Sequence, residues 1–173
     1  MTKIGAFLAF SALVVGLLVS GVEARAAESG AERGPVTNLP MPRFVSLKVS
    51  VANVRRGPSL THKIDWVFTR RGMPVEVTGE FGHWRRVQDR DGVGGWVHYS
   101  LISGARTGIV ETDLVPVLAR AMPDGQVKAR LEAGVIVNLD RCGPAWCRVK
   151  AGGYRGWMVK SALWGVRPDE VFE

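Results

Sequence analysis

Beyond residue 42 the large apolar residues never fall at a helical spacing; they come in short bursts cut by Gly and Pro at intervals of about 8 to 12 residues. Val75-Glu76-Val77 and Val135-Ile136-Val137 are rich in β-branched side chains, each is entered through a turn glycine (Gly72, Gly134), and both read as strands. Polar, glycine-containing stretches, Gln88-Asp89-Arg90-Asp91-Gly92 and Lys150-Ala151-Gly152-Gly153, supply the positive-φ positions that tight hairpins require. The pattern predicts an all-β barrel or sandwich.

The bursts also repeat. Gly72, Trp84, Val87, Gly95, Trp96 and Ser100 recur as Gly134, Trp146, Val149, Gly156, Trp157 and Ser161, displaced by 61 or 62 residues throughout. Each copy runs strand, turn, strand, a W-x-x-V strand, a polar hairpin, then G-W with a third apolar residue and a closing Ser-Leu-Ile or Ser-Ala-Leu. Five or so strands of this length close into a small barrel, so two tandem barrels are expected, over residues 43–106 and 107–166, with a tail at 167–173. Residues 27–42 hold Gly30, Gly34, Pro35, Pro40 and Pro42 and few large apolar side chains; they cannot fold alone and are expected to form a disordered linker.

The first residues address export. Lys3, an apolar run over residues 4–19 and the triplet Ala24-Arg25-Ala26 have the order of a secretory signal peptide, with residues 1–26 removed in the mature protein. The run approaches the lower limit of about 17 residues for a spanning helix, so an uncleaved anchor is the alternative. No Cys follows the run that could carry a lipid. The expected location is the periplasm or the extracellular space, with no stable membrane insertion after cleavage.

Charge separates the two copies. Residues 43–106 hold 11 basic and 5 acidic residues, whereas residues 107–173 hold 9 and 8, so an electrostatic function belongs mainly to the first barrel. The only cysteines are Cys142 and Cys147, and an exported chain enters a compartment where such a pair oxidises to a disulfide. Their C-x4-C spacing, with no His after His98, argues against a redox or metal site.

Asn53-Val54-Arg55-Arg56-Gly57-Pro58, followed by the W-x-x-V strand and Gly95-Trp96-Val97, resembles bacterial SH3 (SH3b-like) domains, whose opening motif is N-V-R-x-G-P and whose last strand carries G-W-V. Residues 67–77, Trp96-Val97-His98 and residues 162–166 look more specifically like exported tandem SH3-like proteins, and the resemblance runs from about Arg43 to Val166. It fits the second copy less well: Val117-Leu118-Ala119-Arg120-Ala121-Met122-Pro123 keeps Arg and Pro but not Asn or Gly. The resemblance implies SH3-like barrels acting as binding or targeting modules, often attached to cell-wall enzymes, and carries no fixed set of binding residues.

Catalysis needs a base within reach of a nucleophile, or paired carboxylates in a cleft. His62, His83 and His98 each lie in or beside a turn, and no G-x-S-x-G element or free Cys accompanies them. Asp89, Asp91 and Gly94 match three positions of a calcium loop, but Val93 and Ser100 stand where further ligands belong, so a hairpin turn is the better reading and no metal or cofactor is expected. Gly92, Gly94 and Gly95 resemble a phosphate-cradling loop only superficially, because no helix and no Lys-Ser/Thr follow.

Binding candidates follow from strand alternation. If Val87 and Val149 point inward, Arg85 and Cys147 share their side and Trp84, Arg86 and Trp146 point outward, which makes the two tryptophans candidate ligand platforms. Trp96 and Trp157 are expected to be core or half-buried, because a small barrel needs large side chains inside. Arg55-Arg56, Arg70-Arg71 and Arg85-Arg86 recur every 15 residues, and at most one member of each pair can join a single face. The candidate contact set is Trp84, Arg86, Trp146, Tyr99, Arg56 and Arg71, suited by guanidinium chemistry to an anionic partner.

The expectation is therefore a non-catalytic exported protein that recognises peptidoglycan, a stem peptide or an envelope protein. An accessory or regulatory subunit of a cell-wall hydrolase, or such a hydrolase itself, is the alternative. Nucleic acid is not an expected partner, because an exported chain seldom meets it, and the oligomeric state is not legible.

Overall fold

The structure is a computed structural model that describes residues 32–173. The signal-peptide reading of residues 1–26 lies outside the described residues. Among the described residues every regular element longer than a single turn is a strand.

The first barrel is built from β1 (Arg43–Leu47), β2 (Ala52–Arg55), β3 (Ile64–Phe68), β4 (Pro74–Phe81), β5 (Trp84–Gln88), β6 (Gly94–His98) and β7 (Ile102–Ser103). The second repeats it with β8 (Thr107–Val110), β9 (Val115–Leu118), β10 (Val127–Leu131), β11 (Ile136–Cys142), β12 (Trp146–Ala151), β13 (Tyr154–Val159) and β14 (Leu163–Trp164). Each forms one seven-stranded sheet, ordered β3-β2-β6-β5-β4-β1-β7 and β10-β9-β13-β12-β11-β8-β14, so the topologies are identical. Seven strands stand where five or so were expected. The surplus comes from short pieces such as the two-residue β7 and β14, too brief to leave an alternating pattern in the sequence.

Period-two alternation fills the cores. Val45, Leu47, Val54, Val75, Val77, Val87 and Val97 pack in the first, and Val110, Val117, Val137, Val149 and Met158 in the second. Phe68 is buried in the first core, while the inward positions beside Trp96 and Trp157 are held by Val97 and Met158, and both tryptophans are half-buried on the outer face. Both tryptophans thus take the half-buried of the two placements expected for them, with valines, Leu47 and Phe68 filling the first interior.

The G-W signature has a steric cause. A Cβ on Gly95 would lie 2.6 Å from the Arg55 carbonyl oxygen, and one on Gly156 would lie 2.4 Å from that of Leu118. Glycine lets β6 cross β2, and β13 cross β9, closely enough to close each barrel. In the N-V-R-x-G-P motif, Val54 enters the core, Arg55 donates to the Leu60 and His62 carbonyls at 3.1 and 2.7 Å, and the His62 ring covers Gly57, where a Cβ would be 2.4 Å from Nε2. In the second copy Leu118 pairs with Trp157 as Arg55 pairs with Trp96, so Arg120 lies beyond the position of the motif's arginine.

The segments flanking the barrels are docked. The sequence marked 27–42 as a disordered linker, yet residues 32–42 form a turn closed by Gly34 N–H to Leu39 O at 2.8 Å and a bridge between Arg33 and Pro40. What holds this arm is contributed by the barrel and is invisible in the arm's own composition. Likewise the tail at 167–173 pairs with β11, where Cys142 and Phe172 exchange backbone hydrogen bonds of 2.9 and 3.0 Å. Between the barrels, Phe44 meets Trp164 edge-on with centroids 5.0 Å apart, and Arg70 donates to the Gly134 carbonyl at 2.9 Å.

Candidate functional site

Antiparallel pairing converts the repeat into a lateral array. Trp84 lies beside His98 and Arg86 beside Trp96, while across β4 the partners are Phe81 and Gly79, and across β2 Trp96 adjoins Arg55. Two rows thus cross one outer face: Phe81-Trp84-His98, and Gly79-Arg86-Trp96-Arg55. A Cβ at Gly79 would lie 3.4 Å from that of Arg86, in contact with the second row.

The first row is aromatic. The Trp84 and His98 rings meet edge-on at 5.6 Å, and Tyr99 packs at 4.8 Å from His98 and 5.5 Å from His83. Ser59, Leu60, His83, Trp84 and His98 line an open depression of about 510 Å³. His98 Nδ1 accepts from the Ser100 N–H at 3.4 Å and is 2.8 Å from the Ser100 hydroxyl, which fixes the ring.

The second row is polar and cationic. Arg56, Asp65, Thr78, Arg86, Gln88, Trp96 and the hairpin glycines line a shallow cavity of about 630 Å³. Arg56 holds Asp65 through two hydrogen bonds of 3.1 and 3.0 Å, and this guanidinium keeps the Asp65 carboxyl below its usual range. Arg86 is exposed and forms no ion pair among the described residues, so it is the available cation of the row. Asp89 Oδ1 accepts from the backbone N–H groups of Asp91 and Val93 at 3.0 and 2.8 Å, as a hairpin-turn aspartate does.

The arginine pairs divide by partner: Arg55, Arg70 and Arg85 donate to backbone carbonyls, whereas Arg56, Arg71 and Arg86 are exposed and, of these, Arg56 holds Asp65. Trp84, Arg86, Arg56 and Tyr99 share the first barrel's outer face or its rim. Arg71 does not join them; it sits in the β3–β4 turn near the second barrel. Trp96 and His98 belong to the face although the sequence set omitted them, and counting outward from buried Val97 would have found both.

Trp146 occupies the position of Trp84 in the second barrel, where Ala121, Arg141, Trp157 and the tail residues Val171, Phe172 and Glu173 line a cavity of about 440 Å³ with it. The tail therefore borders this groove, while its counterpart at Trp84 is bordered by none of the arm residues. Arg148 pairs with Trp157 as Arg86 does with Trp96.

One register position differs instructively. Glu80 and Arg85 are partners across β4 and β5, with Arg85 Nε 3.5 Å from Glu80 Oε1, and the same position of β11 and β12 holds the Cys142–Cys147 disulfide. The Glu80 side chain is fully buried. It accepts from the backbone N–H of Val36 and Thr37 at 3.0 and 2.9 Å, from the Thr37 hydroxyl at 2.6 Å and from Arg43 at 2.8 Å. Burial alone pushes this carboxyl up; the bonds from Thr37, Arg43 and Val36 outweigh it and hold it at about 2. Glu80 is thus the peg on which the arm hangs, placed directly behind the Trp84 hairpin.

Among the described residues no group of three or more His, Cys, Asp or Glu could hold a metal ion, and no helix is long and apolar enough to cross a membrane.

Small all-β barrels closed by a G-W strand, in tandem, define the class. The bacterial SH3 domain matches residues 48–104 and again 111–165, and the chain belongs to that family. No curated protein matches the chain. Among solved structures it is similar to NlpC2 from Trichomonas vaginalis, at 12% identity and a TM-score of 0.33 over 71% of this chain and 48% of that one. It is also similar to NlpC1 from Trichomonas vaginalis, at 12% identity and a TM-score of 0.34 over 76% of this chain and 48% of that one. The chain spans about half the length of these two proteins.

Proposed function

We propose that this is an exported, non-catalytic binding protein whose first SH3-like barrel captures an anionic component of the cell envelope, peptidoglycan, its stem peptide or an envelope protein. The observation that carries the reading is the pair of rows on one outer face, aromatic through Phe81, Trp84 and His98 and cationic through Arg86 beside Trp96. Aromatic rings offer apolar area to a sugar or peptide body, while a planar guanidinium engages carboxylate or phosphate. The second barrel keeps the Trp146 and Arg148–Trp157 equivalents but carries less net positive charge, 9 basic against 8 acidic residues over 107–173 compared with 11 against 5 over 43–106, so it contributes less to an anionic ligand. A disulfide between Cys142 and Cys147 supports a compartment outside the cytoplasm, periplasm or beyond.

Purified protein incubated with insoluble peptidoglycan tests both halves. Sedimentation with the polymer and a supernatant free of soluble fragments is expected. Release of fragments at turnover rates would overturn the non-enzymatic reading, and protein left wholly in the supernatant would overturn peptidoglycan as the ligand.

A further inference from the structure

The first sheet ends on β3, so one side of that strand carries backbone groups that no chain pairs among the described residues. Sheets usually blunt such an edge with charge, proline or a bulge that twists it away. Here one irregularity, at Asp65, interrupts the pairing of Ile64-Asp65-Trp66-Val67-Phe68 with β2, but the strand stays apolar, with Ile64, Trp66 and Val67 38%, 51% and 48% exposed. Cross-strand pairing puts Trp66 on the side of Val54 and Val67 on the side of Asn53, so both faces of the edge are apolar. Its single acidic group, Asp65, is already held by Arg56.

Cations stand at both ends. Lys63 precedes the strand and Arg70-Arg71 follows it; Lys63 and Arg71 are exposed and make no ion pair among the described residues. The corresponding edge of the second sheet, β10, differs: of its large hydrophobics only Val127 is exposed, and Lys128 and Arg130 donate to the Arg155 and Leu114 carbonyls. An apolar edge with a cation at each end is a property of the first barrel alone.

We propose that β3 is the docking edge for an extended acidic peptide, which adds to the first sheet as a further strand. The peptide main chain takes the unpaired backbone groups, its apolar side chains pack on Trp66 and Val67, and its carboxylates reach Lys63 and Arg71. A second copy of this chain is the poorer occupant. Two β3 strands paired antiparallel about a two-fold axis would bring the Lys63 end of each toward the Arg70-Arg71 end of the other.

The probe is a blocked eight-residue peptide of alternating Glu and Val, titrated into the full chain at low salt, alongside the same peptide N-methylated at every second residue and a Lys-Val counterpart. Saturable binding of the Glu-Val peptide, with both controls at least tenfold weaker, is expected. Lys63→Glu with Arg71→Glu should weaken it at least tenfold without moving the thermal midpoint, and Arg86→Ala should leave it unchanged, which separates this edge from the Trp84 face. Equal binding of the N-methylated peptide, no binding at all, or a concentration-dependent dimer of the free protein that the peptide does not dissolve would each overturn the proposal.

Discussion

Replacing Glu80 with Gln should uncouple the arm at residues 32–42 from the first barrel and remove one identifiable component of its acid sensitivity. The native carboxyl titrates at about 2 against an ordinary value of 4.5, because the hydrogen bonds from Thr37, Arg43 and Val36 exist only in the folded protein. A group depressed on folding contributes stability that is complete above pH 4.5 and is lost as the pH falls from 4.5 toward 2. At about 1.4 kcal/mol for each pH unit of separation, the contribution is about 3 kcal/mol. In Glu80→Gln the half-buried Arg43 and the buried Arg85 also lose their carboxylate, so the variant should be less stable at neutral pH by at least that order. Urea unfolding followed by tryptophan fluorescence, from about pH 7 to about pH 2.5, should show the two proteins converging below pH 4.5 as the wild type loses what the variant never had. Stability curves that fall in parallel across that window would refute the assignment, because Glu80 would then titrate in the folded protein as it does in the unfolded chain.

Other perturbations separate the barrels. Reducing the Cys142–Cys147 bond, which joins the ends of a loop of about six residues, should destabilise the second barrel by about 2 kcal/mol and leave the first unmoved, since the first holds an ion pair at that register position. Differential scanning calorimetry with and without reductant resolves this. Gly95→Ala should destabilise the first barrel, and Gly156→Ala the second, by about 1 to 3 kcal/mol, because each new Cβ meets a carbonyl across the barrel seam; chemical denaturation of each variant gives the value.

The repeat, the strand character and the outward placement of Trp84, Arg86 and Trp146 were all legible, because each rests on local spacing and the two-residue period of a strand. The same logic correctly placed Arg85 and Cys147 on the side of the valines. The docked arm and tail were not legible. Their order comes from Glu80, Arg106 and Lys160, single residues distant in sequence: Arg106 pairs with Glu170 and lies 4.6 Å over the Phe172 ring, while Lys160 donates to the Pro168 and Glu170 carbonyls. Trp96 is half-buried, within what its bulk led one to expect, and its buried neighbour Val97 fixes which face it takes. The exposure of β3 was hidden for another reason, since strand order within a sheet decides which apolar strand is left at the edge.

Capture of insoluble peptidoglycan by wild type, Trp84→Ala and Arg86→Ala, each paired with its thermal midpoint, tests the central claim most directly. Each substitution should weaken capture about tenfold, or roughly 1.4 kcal/mol, and Arg86→Ala should leave the midpoint in place because that side chain is exposed and in no ion pair among the described residues. Undiminished capture by both variants would contradict the account and move the binding surface away from this face.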